Sequence, residues 1–324
     1  MSKGRARRAT RLGRLSDYLA VTFPPLAMLI AAAVSFAAVY FLLEALALHV
    51  RLAYTWRAVG AMFTCYCLSL LLRIYDELKD VDTDRRLAAS GDPKYIERPI
   101  ARGLIDVEDL QALRWAVSAI ALLVSVFLGP VLLAGFGFLY LMTWMAFRWF
   151  FWPKMRDHLM VAFATHNPLT LLLQAFAALA YVEDFGVGDL GAWPALATLV
   201  GQQGLASAWE IARKIRAPQE ETDYVTYSRV LGWRIAPLLP LVAVVVSASC
   251  VVWVSALAGL HALYLWAVGI SALTAVVALL RFRVAPSAES SKLRPYIEAF
   301  AAVVNVGGLI ALVARWGLTL VPLR

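Results

Sequence analysis

Carboxylates are concentrated in one segment of the chain, residues 70–103, whose sequence is LLLRIYDELKDVDTDRRLAASGDPKYIERPIARG. The acids follow directly on an apolar run. Asp76, Asp80 and Asp84 are four residues apart, so a helix would place them on one face, and Glu77 flanks it. Grouped carboxylates repel one another unless cations bind them or water screens them. The segment therefore indicates either a solvated charge run beside a membrane or a cation site.

The kind of cation is narrowed by the spacing of the acids. The stretch DVDTD has acids at alternate positions, as a calcium loop does, but Arg85 and Gly91 stand where an EF-hand needs Gly and Glu. Magnesium keeps several waters and takes one or two carboxylates, and phosphate oxygens of a substrate complete its shell. Nearby arginines can neutralise the remaining phosphate charge. We therefore expect a Mg²⁺ site for a phosphorylated substrate, with Mn²⁺ as an alternative ion.

A second charged cluster lies in residues 209–232, whose sequence is WEIARKIRAPQEETDYVTYSRVLG. Glu210 and Lys214 are one helical turn apart, and Pro218 is expected to end the helix. Three acids follow in the predicted loop: Glu220, Glu221 and Asp223. Like the first cluster, this one emerges from an apolar span on the same predicted side, and polar residues at that depth usually mark a functional cavity. Two such clusters favour a substrate site over a solvated charge run.

A third segment, FRWFFWPKMRDH at residues 147–158, combines aromatic and basic residues. Lys154 and Arg156 are predicted to add positive charge above a cavity walled by aromatic side chains such as Trp149. The alternative is an aromatic belt at the membrane interface with basic residues on the inner side.

The composition is that of a membrane protein. The chain has 324 residues, 61% of them hydrophobic and only 16% charged, with a mean hydropathy of +0.71; soluble domains are about a quarter charged. Apolar runs of about 20 residues can span a bilayer as helices. We predict nine transmembrane helices around a central cavity, in an all-α polytopic fold, at residues 19–42, 55–72, 110–127, 131–147, 159–181, 193–209, 235–254, 262–280 and 296–318. Residues 1–18 are predicted to form a basic cytoplasmic arm, and residues 19–324 one helical domain.

Orientation is predicted from the distribution of basic residues. With the N-terminus inside, 26 of the 30 lysines and arginines fall on the inner side, as the positive-inside rule requires. The N-terminus is then cytoplasmic, the C-terminus is outside, and both acidic clusters open at the cytoplasmic face of the inner membrane. The net charge of +8 is explained by this topology, so nucleic-acid binding is not indicated.

The sequence resembles the UbiA superfamily of intramembrane prenyltransferases. The first motif of that family, N/D-D-x-x-D-x-x-x-D preceded by Arg, is matched from Arg73 to Asp84, with Glu77 in place of the second Asp. RPIARG, from Arg98 to Gly103, is similar to a downstream Arg-Pro-x-x-x-Gly stretch of the family, and FWPKMRDH is similar to its Tyr-Pro-x-x-Lys-Arg element. The second motif departs from the family pattern, since Pro218 stands where a third polar position is usual.

This resemblance implies a Mg²⁺-dependent enzyme that ionises an isoprenoid diphosphate and transfers the prenyl group to an aromatic acceptor within the bilayer. Implied catalytic residues are Asp76, Asp80, Glu210 and Lys214. Implied metal ligands are acids of both clusters: Asp76, Glu77, Asp80, Asp84, Glu210, Glu220, Glu221 and Asp223. Implied diphosphate-binding residues are basic: Arg73, Arg98, Lys154, Arg156 and Lys214. Residues expected at the acceptor or the cavity wall are His166, Asn167, Tyr66 and Trp149.

Other functions remain open at this point. Some members of the superfamily cyclise the isoprenoid without an acceptor, and one branch transfers phosphoribose to a polyprenyl phosphate. His166 and Asn167 lie inside an apolar run, where a helix–helix hydrogen bond is the commoner use of such residues. A transporter would place charges near the middle of several spans, whereas the span interiors here are nearly uncharged. A membrane scaffold would not need two acidic clusters on one face.

Overall fold

The computed structural model describes residues 10–47, 51–91, 93–222 and 225–321, with the backbone alone described at 93, 94 and 156. Helices dominate the fold. They are α1 (Arg11–Thr22), α2 (Pro25–Ala47), α3 (Trp56–Ala89), α4 (Pro93–Ile96), α5 (Val107–Phe127), α6 (Pro130–Phe147), α7 (Leu159–His166), α8 (Pro168–Phe185), α9 (Ala192–Ala212), α10 (Tyr227–Leu231), α11 (Leu238–Leu257), α12 (Ala262–Val284), α13 (Arg294–Ala302) and α14 (Gly308–Trp316). Two short strands, β1 (Leu52–Tyr54) and β2 (Leu318–Leu320), pair in parallel.

Eight helical segments of the described residues are long and apolar enough to cross a membrane. They are Pro25–Ala47, Trp56–Ala89, Val107–Phe127, Pro130–Phe147, Leu159–Phe185, Leu238–Leu257, Ala262–Val284 and Arg294–Trp316. The chain is therefore a multi-pass membrane protein with an all-α polytopic fold. The predicted ninth span, 193–209, corresponds to α9, which is not one of the eight because glutamines interrupt its apolar sequence. The count of nine stays a prediction.

Helix α9 packs closely on α11 through small residues. A Cβ added at Gly204 would lie 2.8 Å from the carbonyl oxygen of Ala243 and 2.8 Å from the Cβ of Ser247. The hydroxyl of Ser247 donates to the carbonyl oxygen of Gly201 at 2.7 Å. Small residues that let two backbones approach are the usual device for joining helices in lipid. This contact fixes α9, and with it the second charged cluster, against the rest of the bundle.

Helix α3 continues well past the predicted span at 55–72. It has 34 residues, a length of about 51 Å, whereas the hydrocarbon core of a bilayer is about 30 Å thick. Its start is capped by Thr55, whose hydroxyl accepts from the backbone N–H of Ala58 at 2.9 Å. The same helix therefore carries the chain across the apolar layer and then presents the acidic segment.

The predicted first span at 19–42 is wrong at its start. Residues 11–22 form the separate helix α1, and α2 begins only at Pro25; Pro24 has no N–H with which to continue a helix. Arg14 fastens α1 to the start of α5 by donating two hydrogen bonds to Asp109, at 2.7 and 3.0 Å. The predicted boundary between arm and domain, at residue 18, thus falls inside α1, and residues 1–9 of that arm lie outside the described part of the chain.

Two of the spans are interrupted. The predicted fifth span divides into α7 and α8 at Asn167, because Pro168 starts a new helix there. The last span contains a wider π-helical turn, Val303–Gly307, between α13 and α14. Turns of this type are often found at functional sites, and this one carries Asn305.

A buried polar cluster ties three spans together at the end of α3 opposite the acids. Asp184 on α8 accepts hydrogen bonds from Tyr40 on α2 at 2.7 Å and from Thr55 at 2.6 Å, and it lies 3.3 Å from Arg57 on α3. The strand pair β1–β2 joins Leu52 to Leu318 at the same end. The core between α2, α3 and α8 is apolar, so the two polar ends hold the helices in register.

Candidate active site

A cavity of about 630 Å³ lies between the helices and brings the predicted acidic face of α3 together with the α9 part of the second predicted cluster. Its charged lining comes from α3, the segment after α4, and the end of α9: Arg73, Asp76, Glu77, Lys79, Asp80, Asp84, Arg98, Glu210, Arg213 and Lys214. We call this charged end of the cavity the mouth. The face of the membrane on which the mouth opens stays a prediction from the basic residues.

Two of the acids on the cavity-lining face of α3 form ion pairs with basic residues of the same helix. Asp76 is exposed and lies 3.0 Å from the ammonium of Lys79. Glu77 is buried and binds Arg73 one turn away. Its second oxygen, Oε2, is buried and accepts no hydrogen bond from the described residues. Asp80 is half-buried on the same wall. The α3 face therefore offers carboxylate oxygens on neighbouring turns.

The RPIARG segment reaches the same wall through Arg98. Its guanidinium lies 3.7 Å from Glu77 and 3.7 Å from Asp84, and both of these carboxylates are 2% exposed. Buried carboxylates are stable as anions only when cations or donors face them. Arg98 therefore stabilises the two least exposed acids of the mouth while part of its own side chain stays accessible.

The second cluster comes from the last turn of α9 and the residues that follow it. Glu210 lies 2.6 Å from Arg213 and 2.8 Å from Lys214. The indole N–H of Trp209 donates to Glu298 on α13 at 3.1 Å. The backbone carbonyl of Lys214 accepts from Tyr227 at 3.0 Å. These bonds hold the α9 charges in place across the mouth from α3.

An aromatic turn stands beside Lys79. The ammonium of Lys79 lies 4.3 Å from the centre of the Trp149 ring, a favourable cation–π position. Trp149, Phe150 and Phe151 all have positive φ, at 53°, 48° and 60°, a conformation that is costly for bulky residues and persists only where neighbours impose it. The turn is therefore a stiffly held part of the mouth.

His166 supplies part of that support. Its Nε2 lies 3.1 Å from the carbonyl oxygen of Ala146 and its Nδ1 3.0 Å from that of Ala162. Its ring meets those of Trp149 and Phe150 edge-on, with centroids 5.2 and 5.7 Å apart. Although His166 lines the cavity, both ring nitrogens face main-chain carbonyls. This arrangement favours the structural alternative over the predicted role toward an acceptor.

The part of the cavity beyond the mouth is lined by neutral polar groups as well as apolar ones. Asn167 is there, as predicted, where it accepts from Ser207 at 2.8 Å and from Gln203. The prediction missed the other polar lining residues: Ser35, Thr170, Gln174, Gln202 and Asn305. In the sequence, these residues are marked only by an amide or hydroxyl group within an apolar run. Many other positions of the chain show the same pattern, so it does not single them out.

Tyr18 of α1 is a further neighbour that the sequence did not indicate. It is fully buried, and burial, reinforced by the nearby Glu77 carboxylate, raises the pKa of Tyr18 to about 12. The phenol therefore stays neutral at physiological pH. Helix α1 thus places an uncharged hydroxyl behind the acidic face of α3.

Several predicted site residues are not part of the cavity lining. Tyr66 packs on Phe23 and Phe63, and Lys154 is exposed on the short 3₁₀ helix Pro153–Asp157. Two further residues were predicted at the site. The side chain of Arg156 is not described, and Asp223 lies outside the described residues.

Glu220 and Glu221, which were predicted as metal ligands, bind groups of their own and neighbouring loops. Glu221 accepts from the hydroxyls of Thr226 at 2.7 Å and Ser228 at 2.6 Å. Glu220 accepts from the hydroxyl of Ser291 at 2.7 Å. The prediction placed these acids beside Glu210 because they are close in sequence, but the turn at Pro218 directs them away from the cavity.

Magnesium fits the mouth only together with a substrate. In the part of the chain that the structure describes, no three His, Cys, Asp or Glu side chains are arranged to hold a metal ion by themselves. The predicted eight-ligand set is therefore not assembled. The donor set does suit a magnesium ion that brings phosphate oxygens and water with it, because Glu77 Oε2 is an unpartnered buried carboxylate oxygen and Asp76 and Asp80 line the same cavity.

The sequence matches no protein-family model and no curated protein. Solved structures do resemble the fold. A digeranylgeranylglyceryl phosphate synthase aligns over 93% of this chain and 99% of its own at a TM-score of 0.64 and 13% identity. A UbiA homolog from Aeropyrum pernix K1 aligns over 87% of this chain and 98% of its own, with a TM-score of 0.61 and 15% identity. A UbiA homolog from Archaeoglobus fulgidus bound to DMAPP and Mg²⁺ aligns over 90% of this chain and 99% of its own, with a TM-score of only 0.45 and 10% identity. This likeness is too loose to bear on the site. The predicted resemblance is thus confirmed for the architecture, and the chain has the UbiA-type intramembrane fold.

Proposed function

We propose that this protein is a Mg²⁺-dependent intramembrane prenyltransferase. It ionises an isoprenoid diphosphate at the mouth and transfers the prenyl group to an acceptor held deeper in the cavity. The observation that carries this proposal is that the charged residues of α3 and those at the end of α9 line one cavity that continues between apolar helices. A diphosphate can bind among the charges while its hydrocarbon tail lies among the helices.

The charge balance of the mouth supports a requirement for a divalent ion. The described residues lining it include as many acids as bases: Asp76, Glu77, Asp80, Asp84 and Glu210 against Arg73, Lys79, Arg98, Arg213 and Lys214. A bare diphosphate would meet carboxylates that already neutralise those cations. A diphosphate complexed with a divalent cation brings its own neutralising charge, so it suits a mouth of zero net charge.

Roles for the individual residues follow from their positions. Asp76, Glu77 and Asp80 would hold one magnesium ion from α3, and Glu210 a second from α9. When bound, magnesium draws negative charge from the leaving diphosphate. Arg73, Lys79 and Lys214 supply hydrogen-bond donors and positive charge to the same oxygens. Asp84 acts through Arg98, which it positions.

The reaction breaks the bond between C1 of the prenyl group and the diphosphate oxygen, and the electron pair stays on that oxygen. The resulting allylic cation accepts an electron pair from a ring carbon or an oxygen of the acceptor, and the acceptor then loses a proton to the diphosphate. Trp149 and the other aromatic side chains near the mouth can stabilise the cation. The surrounding apolar helices exclude water, which would otherwise trap it.

The polar lining beyond the mouth supports transfer over cyclisation. A cyclase chamber must not contain groups that capture a carbocation, whereas here amide oxygens and hydroxyls line the space where a cyclising chain would fold. The same groups are suited to binding an acceptor. Cyclisation without an acceptor is the second candidate, and phosphoribosyl transfer and transport are not supported by a specific feature of the cavity.

Product analysis tests the proposal. Purified protein would be incubated with geranyl, farnesyl or geranylgeranyl diphosphate and Mg²⁺, with and without a phenolic acceptor, and the products identified by mass spectrometry. We expect a prenylated acceptor. A cyclic hydrocarbon formed without acceptor would establish the second candidate, and intact diphosphate in every reaction would contradict both.

A further inference from the structure

Five amide side chains lie on the helices around the cavity beyond the mouth, and we call them the amide cluster: Asn167, Gln174, Gln202, Gln203 and Asn305. They come from the α7–α8 junction, α8, α9 and the π-helical turn. All but Gln203 line the cavity. An amide within an apolar bundle destabilises it unless the amide finds a hydrogen-bond partner. The partners of these five side chains therefore show which of them serve the fold and which remain for a ligand.

Two members satisfy each other. Gln203 donates to Asn167 and accepts from Thr170 at 2.8 Å, and Ser207 donates to Asn167 at 2.8 Å. This network joins the interrupted span at Asn167 to α9 and uses both carboxamide oxygens for the packing of the helices. The NH₂ group of Asn167 makes no hydrogen bond to a described residue.

The other three members are incompletely bonded. Gln174 donates to Ser35 at 2.9 Å. Asn305 donates to the carbonyl of Ala301 at 3.1 Å, while its own oxygen is buried and unpartnered among the described residues. For Gln202, no side-chain hydrogen bond is found within the described part of the chain. These three side chains line one cavity and keep unused hydrogen-bonding capacity.

The π-helical turn is an independent sign that Asn305 has a function. The turn Val303–Gly307 widens the last span at the residue that carries the amide. Such turns interrupt regular hydrogen bonding and often occur at functional sites. Its position on the cavity wall points to a ligand for the free oxygen of Asn305.

Positive charge is confined to the mouth. The described cations lining the cavity lie on α3, at Arg98, or at the end of α9. Gln202 precedes Glu210 by eight residues on α9, a distance of about 12 Å along a helix. His166 does not change this balance, because its nitrogens face carbonyl oxygens. A carboxylate or phosphate placed at the amides would therefore be buried without a counter-charge.

We propose that Gln174, Gln202 and Asn305 bind an uncharged hydroxyl or carbonyl group of the acceptor, so that the acceptor is a neutral phenol or quinol rather than an aromatic acid or a phosphorylated molecule. This inference depends on the proposed prenyl transfer. The amides orient the acceptor by hydrogen bonds to its oxygens, and the neutral character of the site selects against anions.

Two probe acceptors test this specificity. Hydroquinone is neutral and 4-hydroxybenzoate is an anion of similar size, and each would be offered with geranylgeranyl diphosphate and Mg²⁺. We expect kcat/KM for hydroquinone to exceed that for 4-hydroxybenzoate by at least about tenfold. Removal of one amide, in Gln202→Leu or Asn305→Leu, is expected to raise KM for hydroquinone by about tenfold, the worth of one hydrogen bond. The control is Val306→Leu, at a half-exposed residue beside Asn305.

Binding of geranylgeranyl diphosphate without acceptor separates this inference from the proposed function. The amide variants should bind it in the presence of Mg²⁺ with the wild-type Kd, which also shows that they are folded. A preference for 4-hydroxybenzoate, an unchanged KM in both variants, or binding without prenylation of either probe would overturn the neutral-acceptor site alone. No Mg²⁺-dependent binding by the wild-type protein would overturn the proposed function and this inference with it.

Discussion

Arg98 lies 3.7 Å from the buried carboxylate of Glu77. The two residues are 21 positions apart, on the loop after α4 and on α3. The contact joins the RPIARG segment to the acidic face and gives a buried acid a cation that also lines the cavity. It explains why the two sequence features belong to one site.

Replacement of Arg98 tests this relationship. In Arg98→Ala, the buried carboxylates of Glu77 and Asp84 lose the cation that faces them, so we expect KM for the isoprenoid diphosphate to rise by about tenfold or more and stability to fall by about 1–3 kcal/mol. The measurements are steady-state kinetics and thermal unfolding in detergent. Arg102→Ala is the control, because Arg102 pairs with exposed Glu97 away from the cavity. Equal effects of the two substitutions would contradict the role of Arg98.

The α3 acids differ in their predicted importance according to the face on which they lie. Asp80→Asn is expected to lower kcat by about 100-fold or more, the scale reported for loss of one group that stabilises transition-state charge. It should also raise the Mg²⁺ concentration needed for half-maximal rate. Asp82→Asn, at an exposed residue outside the cavity lining, is expected to retain wild-type kinetics. An Asp80 variant with a normal magnesium titration would disprove the metal assignment.

His166 is expected to support the aromatic turn without transferring a proton. Its replacement in His166→Ala removes the bonds to Ala146 and Ala162, so thermal stability and kcat should both fall. The shape of the pH–rate profile should stay that of the wild type. Loss of one limb of the profile would instead identify His166 as an acid or base in the reaction.

Packing between α9 and α11 is tested by two glycines. Gly204→Ala puts a methyl group 2.8 Å from a backbone oxygen, so we expect a loss of about 1–3 kcal/mol in stability. Gly137→Ala in α6 meets no atom within 4 Å and is expected to gain about 0.5–1 kcal/mol from helix propensity. The readout is thermal unfolding of both variants in detergent. An unaffected Gly204 variant would show that the close contact is absent.

The sequence was most informative where charged residues recur at the spacing of a helical turn. The four-residue spacing of Asp76, Asp80 and Asp84 predicts a shared face, and the structure places all three on the cavity wall. The one-turn spacing of Glu210 and Lys214 is likewise seen as an ion pair of 2.8 Å. Their roles in binding magnesium and diphosphate stay predictions.

Other parts of the site depend on tertiary contacts that a one-dimensional pattern does not show. Glu220 and Glu221 resemble a continuation of the α9 cluster until the chain turns at Pro218. Lys79 is a cavity cation only because the turn at Trp149 packs against it. The amides of Gln202 and Asn305 lie 103 residues apart in the sequence, and only the packing of α9 beside α13 brings them to one cavity.

The central claim is most directly tested by measuring the diphosphate that the purified protein releases from geranylgeranyl diphosphate in the presence of a phenolic acceptor, with Mg²⁺, with EDTA, and with Mg²⁺ restored after EDTA. We expect release with Mg²⁺, none with EDTA, recovery on restoration, and almost none from Asp76→Ala or Asp80→Ala protein that remains folded in the membrane. Release that is unaffected by EDTA, or undiminished in both variants, would contradict the claim that this mouth ionises a magnesium-bound isoprenoid diphosphate.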